Sequence, residues 1–342
     1  MSAIIERDVT SGTKVPDFGD ALALADIKKT PMLAMLPKGT APHNTTPQWG
    51  VESYPAPTIT GAVDEQPVTS YDTSQNVAAL LSGRVMIQQH AIRVSRFADL
   101  TMDQVGVGYR KAYAKALARA MIILARKVEA RITSDADSYA GTSADNDGPR
   151  TRGIGSWYAS TAQTDLPVDA SFLTPSAQND TTTIANFTDT TVTNVVGSMF
   201  DQTGDAAMDL MLLSGSTLSL KLARLTSWSK DESGFTFVRR FNDNGDGETY
   251  KQVVNILETQ FGRIVIRPSS FINASGDPTS AASKRLGLLF PMVKEAIRLR
   301  FSWGLQNEDL PNDGGGRRAL CSTAYCVEAG NPLWGGKFTP SA

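Results

Sequence analysis

The stretch from Thr101 to about Ser134 constrains the fold most, because it is the one long segment with sustained helical periodicity. Apolar residues recur at Met102, Val105, Tyr109, Tyr113, Ala116, Ala120, Leu124, Val128 and Ile132, in steps of three and four that place them on one stripe. Thr101, with Gln104 three residues on, reads as a capping-box start. At about 1.5 Å per residue such a helix is a rod of roughly 50 Å, about three times the usual globular length. Everything else reads as short strands, turns and loops, so the helix is expected to be a structural spine. Its other face carries Arg110, Lys111, Lys115, Arg119, Arg126, Lys127 and Arg131.

Charge is balanced over the whole chain and polarised within it. The 33 basic and 35 acidic residues among 342 exclude both a wholesale nucleic-acid binder and an acidic solvating protein. Between Arg84 and Arg131, however, ten Arg and Lys stand against Asp99, Asp103 and Glu129, whereas Gly153 to Leu220 holds seven Asp and no Lys, Arg or His. The basic helix face is either a solvated surface or an electrostatic surface for phosphate backbones, with Arg110, Lys111, Lys115 and Arg119 as its candidate contacts. No aromatic residues interleave to stack on bases, so such binding is expected to be independent of sequence.

The length permits one elaborated domain or two intimate ones. No window holds the roughly 18 apolar residues of a membrane span, and the first residues lack the order of a secretory signal, so no membrane partner is expected. Cys321 and Cys326 lie five apart in an apparent strand, which points them to opposite faces and predicts two buried thiols.

In chain order, residues 1 to about 30 read as an arm broken by Pro16 and Gly19, and Thr30-Pro31 opens a compact apolar turn that docks onto the body. Residues 45–54 alternate like a strand, and Val77 to Val94 returns as a long extended run. Together they make a two-stranded excursion with Gly61 near its tip. Such an excursion is too thin to bury its own Trp49, Tyr54 and Ile59, which are therefore candidate contacts to another subunit. Residues 159–190, rich in Thr, Ser, Ala and Asp, read as an exposed loop. A helix at 192–202 ended by Gly204, a buried strand at 208–213 and a helix from Ser216 to Leu225 predict a small α/β layer. A hairpin is expected between residues 235–241 and 249–257, followed by a strand at 263–267. Alternation from Ile297 to Trp303 marks a half-buried strand, paired with 320–328 across the Gly314-Gly315-Gly316 loop.

Catalytic constellations are not recognisable. His43 and His90 sit outside any motif, and two cysteines with two remote histidines make no tetrahedral zinc set. The turn from Asn242 to Gly247 matches the first half of a calcium loop, but its twelfth position is Val253 where a bidentate Glu is needed. Gly153-Ile154-Gly155 lacks the third glycine of a dinucleotide fingerprint, and the Gly314 to Arg318 run fits a linker better than an anion site. The Asp residues between 165 and 209 could supply a glycosidase pair, yet nothing fixes two of them on one scaffold. No catalytic, cofactor or metal residue is assigned, and no enzymatic activity is expected.

The order of arm, long excursion, spine helix, α/β layer and terminal strand pair resembles the major capsid protein fold of tailed bacteriophages, an α+β architecture. The motifs that carry the likeness are Thr30-Pro31 with Leu36-Pro37-Lys38-Gly39, then Trp49-Gly50-Val51-Glu52, and Ile92-Arg93-Val94-Ser95 before the helix. Thr151-Arg152-Gly153-Ile154-Gly155-Ser156-Trp157 follows the helix, and Cys326-Val327-Glu328 lies in the last strand. The resemblance covers nearly the whole chain, and the 159–190 stretch departs from it as an elaboration.

What the resemblance implies is an N-terminal arm at 1–44, an extended loop at 45–95, a peripheral domain at 96–158, an axial domain at 159–285 and returning strands at 286–342. It implies self-assembly into hexamers and pentamers of an icosahedral shell around double-stranded DNA, portal and scaffolding partners, assembly in the host cytoplasm and residence in the virion. A cellular encapsulin-like compartment shell is the alternative on a similar fold, and a secreted glycan-active protein is the distant one. Some members of the family weld subunits by an isopeptide bond from a loop lysine to a neighbour's asparagine. Here no Lys lies between Lys38 and Lys111, and Arg84, Arg93 and Arg96 carry guanidinium groups that stay protonated, so a non-covalent lock is expected.

Overall fold

The computed structural model describes residues 30–54, 59, 77–101, 112–142, 147–204, 209–230, 236–238, 256–274, 276–311 and 314–342. Its first elements are α1 (Pro31–Met35), β1 (Gln48–Ser53), β2 (Val77–Ser82), β3 (Met86–Ser95), α2 (Arg96–Thr101), α3 (Ala112–Ile132) and α4 (Ile154–Trp157). Then come β4 (Asn179–Asp180), α5 (Asp189–Thr203), β5 (Asp209–Ser214), α6 (Ser216–Ser227), β6 (Trp228–Lys230), β7 (Thr236–Val238), β8 (Ile256–Thr259) and β9 (Gly262–Pro268). The last are α7 (Ala281–Arg285), β10 (Gly287–Pro291), β11 (Ile297–Leu310), β12 (Gly316–Ala329) and β13 (Gly336–Phe338). Two compact units result, the larger from Thr30–Gln89, Leu124–Gln306 and Ser322–Ala342, the smaller including His90–Ile123 and Asn307–Cys321.

The larger unit is built on a mixed sheet of order β4-β13-β10-β5-β9-β8, with β5 parallel to β9 and antiparallel to β10. Strands β5 and β10 carry continuous apolar runs, Leu210–Leu213 and Leu288–Phe290, because both faces of the sheet are covered. Leu210, Leu212 and Leu289 join Val192, Val195, Val196 and Met199 of α5 and Leu218 and Leu222 of α6 in one core. Their alternate neighbours Met211, Leu213, Leu288 and Phe290 enter a second core with Val128, Ile132, Trp157, Tyr158 and Tyr325. The two-residue period of a strand thus sorts adjacent side chains into two cores. Helix α5 stops where Gly204 turns left-handed at φ 68°, its N–H closing on the Phe200 carbonyl. The expected α/β layer is therefore present as α5, β5 and α6.

The described part of the spine carries its apolar stripe inward, with Tyr113, Ala120, Leu124, Val128 and Ile132 all buried. Its expected start differs, because Thr101 is itself helical, within α2, instead of standing before the first turn. The helical turn begins at Arg96, where the Ser95 hydroxyl receives the Ala98 N–H at 3.1 Å and does the capping that Thr101 was expected to do. Residues 102–111 lie outside the described residues, and Met102, Val105, Tyr109, Arg110 and Lys111 with them.

Other expectations also shift. The run from Val77 to Val94 is two strands: β2 pairs with β1, while β3 joins a separate sheet of order β11-β12-β3. Residues 159–190 are no exposed loop, since Val168, Phe172 and Phe187 are buried there. Isolated apolar residues in short turns carry no period for sequence to reveal. Of the hairpin expected between 235–241 and 249–257, residues 239–255 lie outside the described residues; at its two ends β7 pairs with β6 and β8 with β9. The arm at 1–29 and the excursion tip at 60–76 lie outside them too. The strand at 263–267 and the terminal pair appear as expected, and both cysteines are free and buried, with burial pushing the Cys326 thiol up to about 12.

In the smaller unit the glycine run is a turn: Gly314 and Gly315 sit at φ 95° and 85°, and a Cβ on Gly316 would collide with the Val94 carbonyl. Arg93 donates to the Gly314 carbonyl at 3.0 Å and the Arg96 N–H to that of Gly315 at 3.3 Å. Tyr113 donates its hydroxyl to Asp309 under the guanidinium of Arg317, 4.0 Å from the ring centroid.

The stripe makes a checkable distinction on one helix. Leu124→Asp places a carboxylate at a position 0% exposed and should cost about 3–5 kcal/mol, whereas Ile122→Asp, at 52% exposed, should stay within about 0.5 kcal/mol by thermal melting of the unassembled chain.

Candidate assembly surface

Strands β1 and β2 form a ribbon of six paired positions, from Gln48 opposite Ser82 to Ser53 opposite Val77. Alternation sorts it: Val51 and Leu81 are buried, with Trp49 and Ala79 packed beside them, while Leu80 on the other face is 69% exposed. Trp49 is satisfied within its own chain. Its ring lies 5.5 Å from that of Trp157, and its indole N–H donates to the Ala329 carbonyl at 3.0 Å. Tyr54 and Ile59 are the opposite case, 87% and 101% exposed. Of the three residues expected to need a partner, the structure therefore brings one into the core and leaves two in solvent.

The segment before the ribbon is fixed by a residue the sequence did not single out. Helix α1 begins with Pro31, which has no N–H, and Thr30 offers no side-chain cap. The fully buried Glu129 of α3 takes that role, accepting the Met32 N–H at 2.9 Å and the Leu33 N–H at 2.7 Å. Burial pushes its carboxyl pKa up and the two N–H donors pull it back. Only the fold reveals this contact, because the partners are 97 and 96 residues apart.

The basic face of α3 is narrower than the sequence implied. Arg131 turns inward, donating to the carbonyls of Thr151 and Asp137 at 2.6 Å each, and Lys127 donates to the Gln89 carbonyl at 3.2 Å. Lys115 is half-buried and Arg119 exposed. With Ile122 and Arg126 they follow at four, three and four residues, a stripe opposite the buried one. Arg110 and Lys111 lie outside the described residues, so the structure joins only Lys115 and Arg119 of the four candidate DNA contacts.

The Thr151 to Trp157 motif is wholly buried. Arg152 donates to Asp137 at 2.9 Å and to the carbonyls of Asp165 and Leu166 at 2.5 and 2.8 Å, and stacks 4.4 Å over the Trp157 ring. Four of the Asp residues between 165 and 209 hold local structure. Asp165 pairs with Arg84, Asp169 accepts the Ser171 N–H, Asp180 the Thr182 hydroxyl and Asp189 the Thr190 N–H. Among the described residues no group of three His, Cys, Asp or Glu could hold a metal ion.

An inward-packed spine, a thin ribbon with bare apolar residues beyond it, and side chains committed to structure describe a subunit built to meet other subunits. Solved structures agree. A capsid subunit of cyanophage A-1(L) superposes with a TM-score of 0.64 at 14% identity, covering 99% of this chain and 100% of that one. One from cyanophage P-SCSP1u gives 0.60 at 13%, covering 99% and 97%. Mycobacterium phage Bobi gives 0.59 at 12%, covering all of both chains. The fold is thus that of tailed-phage capsid subunits. The family model described as SU10 major capsid protein matches residues 5–341, and the chain belongs to that family of shell-forming proteins. No curated protein matches it, and the cellular-compartment and glycan-active alternatives gain no support.

Glu129 offers a direct check of the docking of α1. Glu129→Ala leaves two helix N–H groups without an acceptor and should cost about 2–4 kcal/mol, and Glu129→Gln, which keeps one oxygen, about half of that. Chemical denaturation of both variants beside the wild type reads the difference, and stabilities equal to the wild type's would show that the cap contributes nothing.

Proposed function

We propose that this chain closes non-covalently into hexamers and pentamers of an icosahedral head, with the region beyond the β1–β2 ribbon laid on a neighbouring subunit and the α3 stripe turned toward packaged double-stranded DNA. The observation that carries the first part is the exposure of Tyr54 and Ile59 beyond a two-stranded ribbon. The ribbon's inner face is packed on its own chain, so the apolar side chains beyond its far end gain most from a second surface. In this reading residues 1–44 are the arm, 45–95 the extended loop, 96–158 the peripheral domain, 159–285 the axial domain and 286–342 the returning strands. Assembly in the host cytoplasm, with portal and scaffolding partners, belongs to the same reading, and the role is structural without catalysis.

The DNA-facing part rests on Lys115 and Arg119, joined in sequence by Arg110 and Lys111. Cations that neutralise phosphates release counterions, so binding should fall with salt. In Lys115→Gln/Arg119→Gln subunits the log–log salt slope for duplex DNA should drop by about 2, uniformly across sequences. An unchanged slope and affinity would remove DNA from this face.

The lock is tested separately. No Lys lies between Lys38 and Lys111 to form an amide, and the two thiols are buried and unpaired. Assembled particles boiled in detergent with reductant should run as one band near 36.7 kDa. A ladder of multimers would mean that covalent bonds join the subunits.

A further inference from the structure

The ribbon turns into the rest of the larger unit through three residues, Gly83, Arg84 and Val85, which separate β2 from β3 and so one sheet from another. All three are held. The Gly83 N–H donates to the Pro47 carbonyl at 2.9 Å and the Val85 N–H to that of Thr45 at 2.8 Å, tying the break to the chain entering β1. A Cβ on Gly83 would stand 2.8 Å from the Cys326 sulfur and 3.2 Å from the Trp49 ring, so the root presses on the floor beneath it.

Arg84 reaches out of this root and forks onto Asp165, Nε to Oδ2 at 3.0 Å and Nη2 to Oδ1 at 2.9 Å, with side chains 16% and 22% exposed. The fork holds the Asp165 carboxyl below the ordinary carboxylate range. Asp165 is anchored in its turn: its N–H donates to Asp137 at 3.2 Å, and its carbonyl receives Arg152 at 2.5 Å and the Ser138 hydroxyl at 3.2 Å. Arg152, 1% exposed, is fixed by Asp137 and by the face of Trp157. The next residue, Leu166, holds a left-handed φ of 49° while its carbonyl also accepts Arg152. A chain of charge-assisted bonds thus runs from the core to the root of the ribbon.

We propose that the Arg84–Asp165 pair is a positioning latch that sets the direction of the β1–β2 ribbon, so that shell closure depends on it while folding of the chain does not. The inference rests on the reading that the region beyond the ribbon meets a neighbour. The leverage is geometric: six residues at about 3.3 Å make a ribbon near 20 Å long, so a turn of roughly 10° at its root displaces the far end by about 3–4 Å, the span of a side-chain contact. A bidentate fork resists such a turn because its two bonds lie in one plane, whereas a lysine gives a single pivoting contact.

The test uses full-length wild type, Arg84→Ala, Arg84→Lys, Asp165→Asn and the Arg84→Ala/Asp165→Asn double variant. Three quantities are read: melting of the unassembled chain, amide exchange of 77–82 against 209–214, and the yield and diameter of closed shells by electron microscopy. Melting should move by only a few degrees. Exchange in 77–82 should rise about tenfold with 209–214 unchanged, and closed shells should fall at least about tenfold in Arg84→Ala and Asp165→Asn. The double variant should be no worse than Arg84→Ala, because both changes break one interaction, and Arg84→Lys should give intermediate yield with a broader spread of diameters. Shells of wild-type yield and diameter from Arg84→Ala or from the nearly isosteric Asp165→Asn would overturn the proposal. So would equal exchange increases in 77–82 and 209–214, which would mark general loosening. Failure of the wild type itself to close shells would count against the assembly reading and not against the latch.

Discussion

The larger unit depends on how closely the Thr151–Trp157 segment lies against the end of the spine helix. A Cβ on Gly153 would collide with the Ser134 carbonyl, and one on Gly155 would stand 2.8 Å from the Asp135 carboxylate, so both positions exclude a side chain. That approach lets Thr151 accept the Val327 N–H at 3.1 Å and Trp157 donate to the Val327 carbonyl at 3.2 Å, tying the segment to β12. The same closeness buries Arg152, whose charge is tolerable only because a carboxylate, two carbonyls and an indole face surround it. Lys337 on Asp135, at 2.9 Å, fastens the β13 side of the sheet to the same corner. The large packed surface of the subunit and the root of its ribbon thus share one set of contacts.

What the sequence made legible is what repeats. Helix α5 and the inward stripe of α3 bury residues at a fixed period, and β5 is a continuous apolar run, so each element is printed several times over in its own sequence. The same logic explains where reading failed. Val168, Phe172 and Phe187 are single anchors in turns, and a polar stretch around a lone Phe looks like an exposed loop. The break at Gly83 lies within an apolar run that otherwise reads as one strand, and only the crowding against Cys326 and Trp49 shows why it is there. Thr101 with Gln104 matches a capping pattern locally, yet Thr101 is itself helical and the cap on α2 is the Ser95 hydroxyl.

The candidate surface was legible in kind and less so in membership. Exposed apolar residues beyond a ribbon and cations on a helix were both visible, but residue type does not decide which of them the fold consumes. Trp49 and Tyr54 stand five residues apart with similar sequence surroundings; one is hydrogen-bonded into the core and the other is exposed. Arg119 and Arg131 share a helix, yet Arg119 is exposed while Arg131 donates to two carbonyls. Glu129 on Met32 and Arg84 on Asp165 span 97 and 81 residues, and no local pattern encodes such pairs.

These placements bear on why a shell would be joined by weak contacts. Burying Tyr54, Ile59 or Leu80 stabilises by about 1.5–3 kcal/mol each, so a single ribbon contact is reversible and a misplaced subunit can leave. In the proposed assembly the ribbon of one subunit meets a different surface of the next, a head-to-tail contact that closes a ring only when its rotation is right and otherwise propagates an open array. Reversible contacts cannot impose that angle by strength, so it has to be built into the subunit before association. The subunit supplies the means: a ribbon whose inner face is packed on Trp157 and the Ala329 carbonyl, and whose root is pinned by a planar ion pair. Buried area then governs how long neighbours stay together, and the stiffness of the root governs the angle at which they meet.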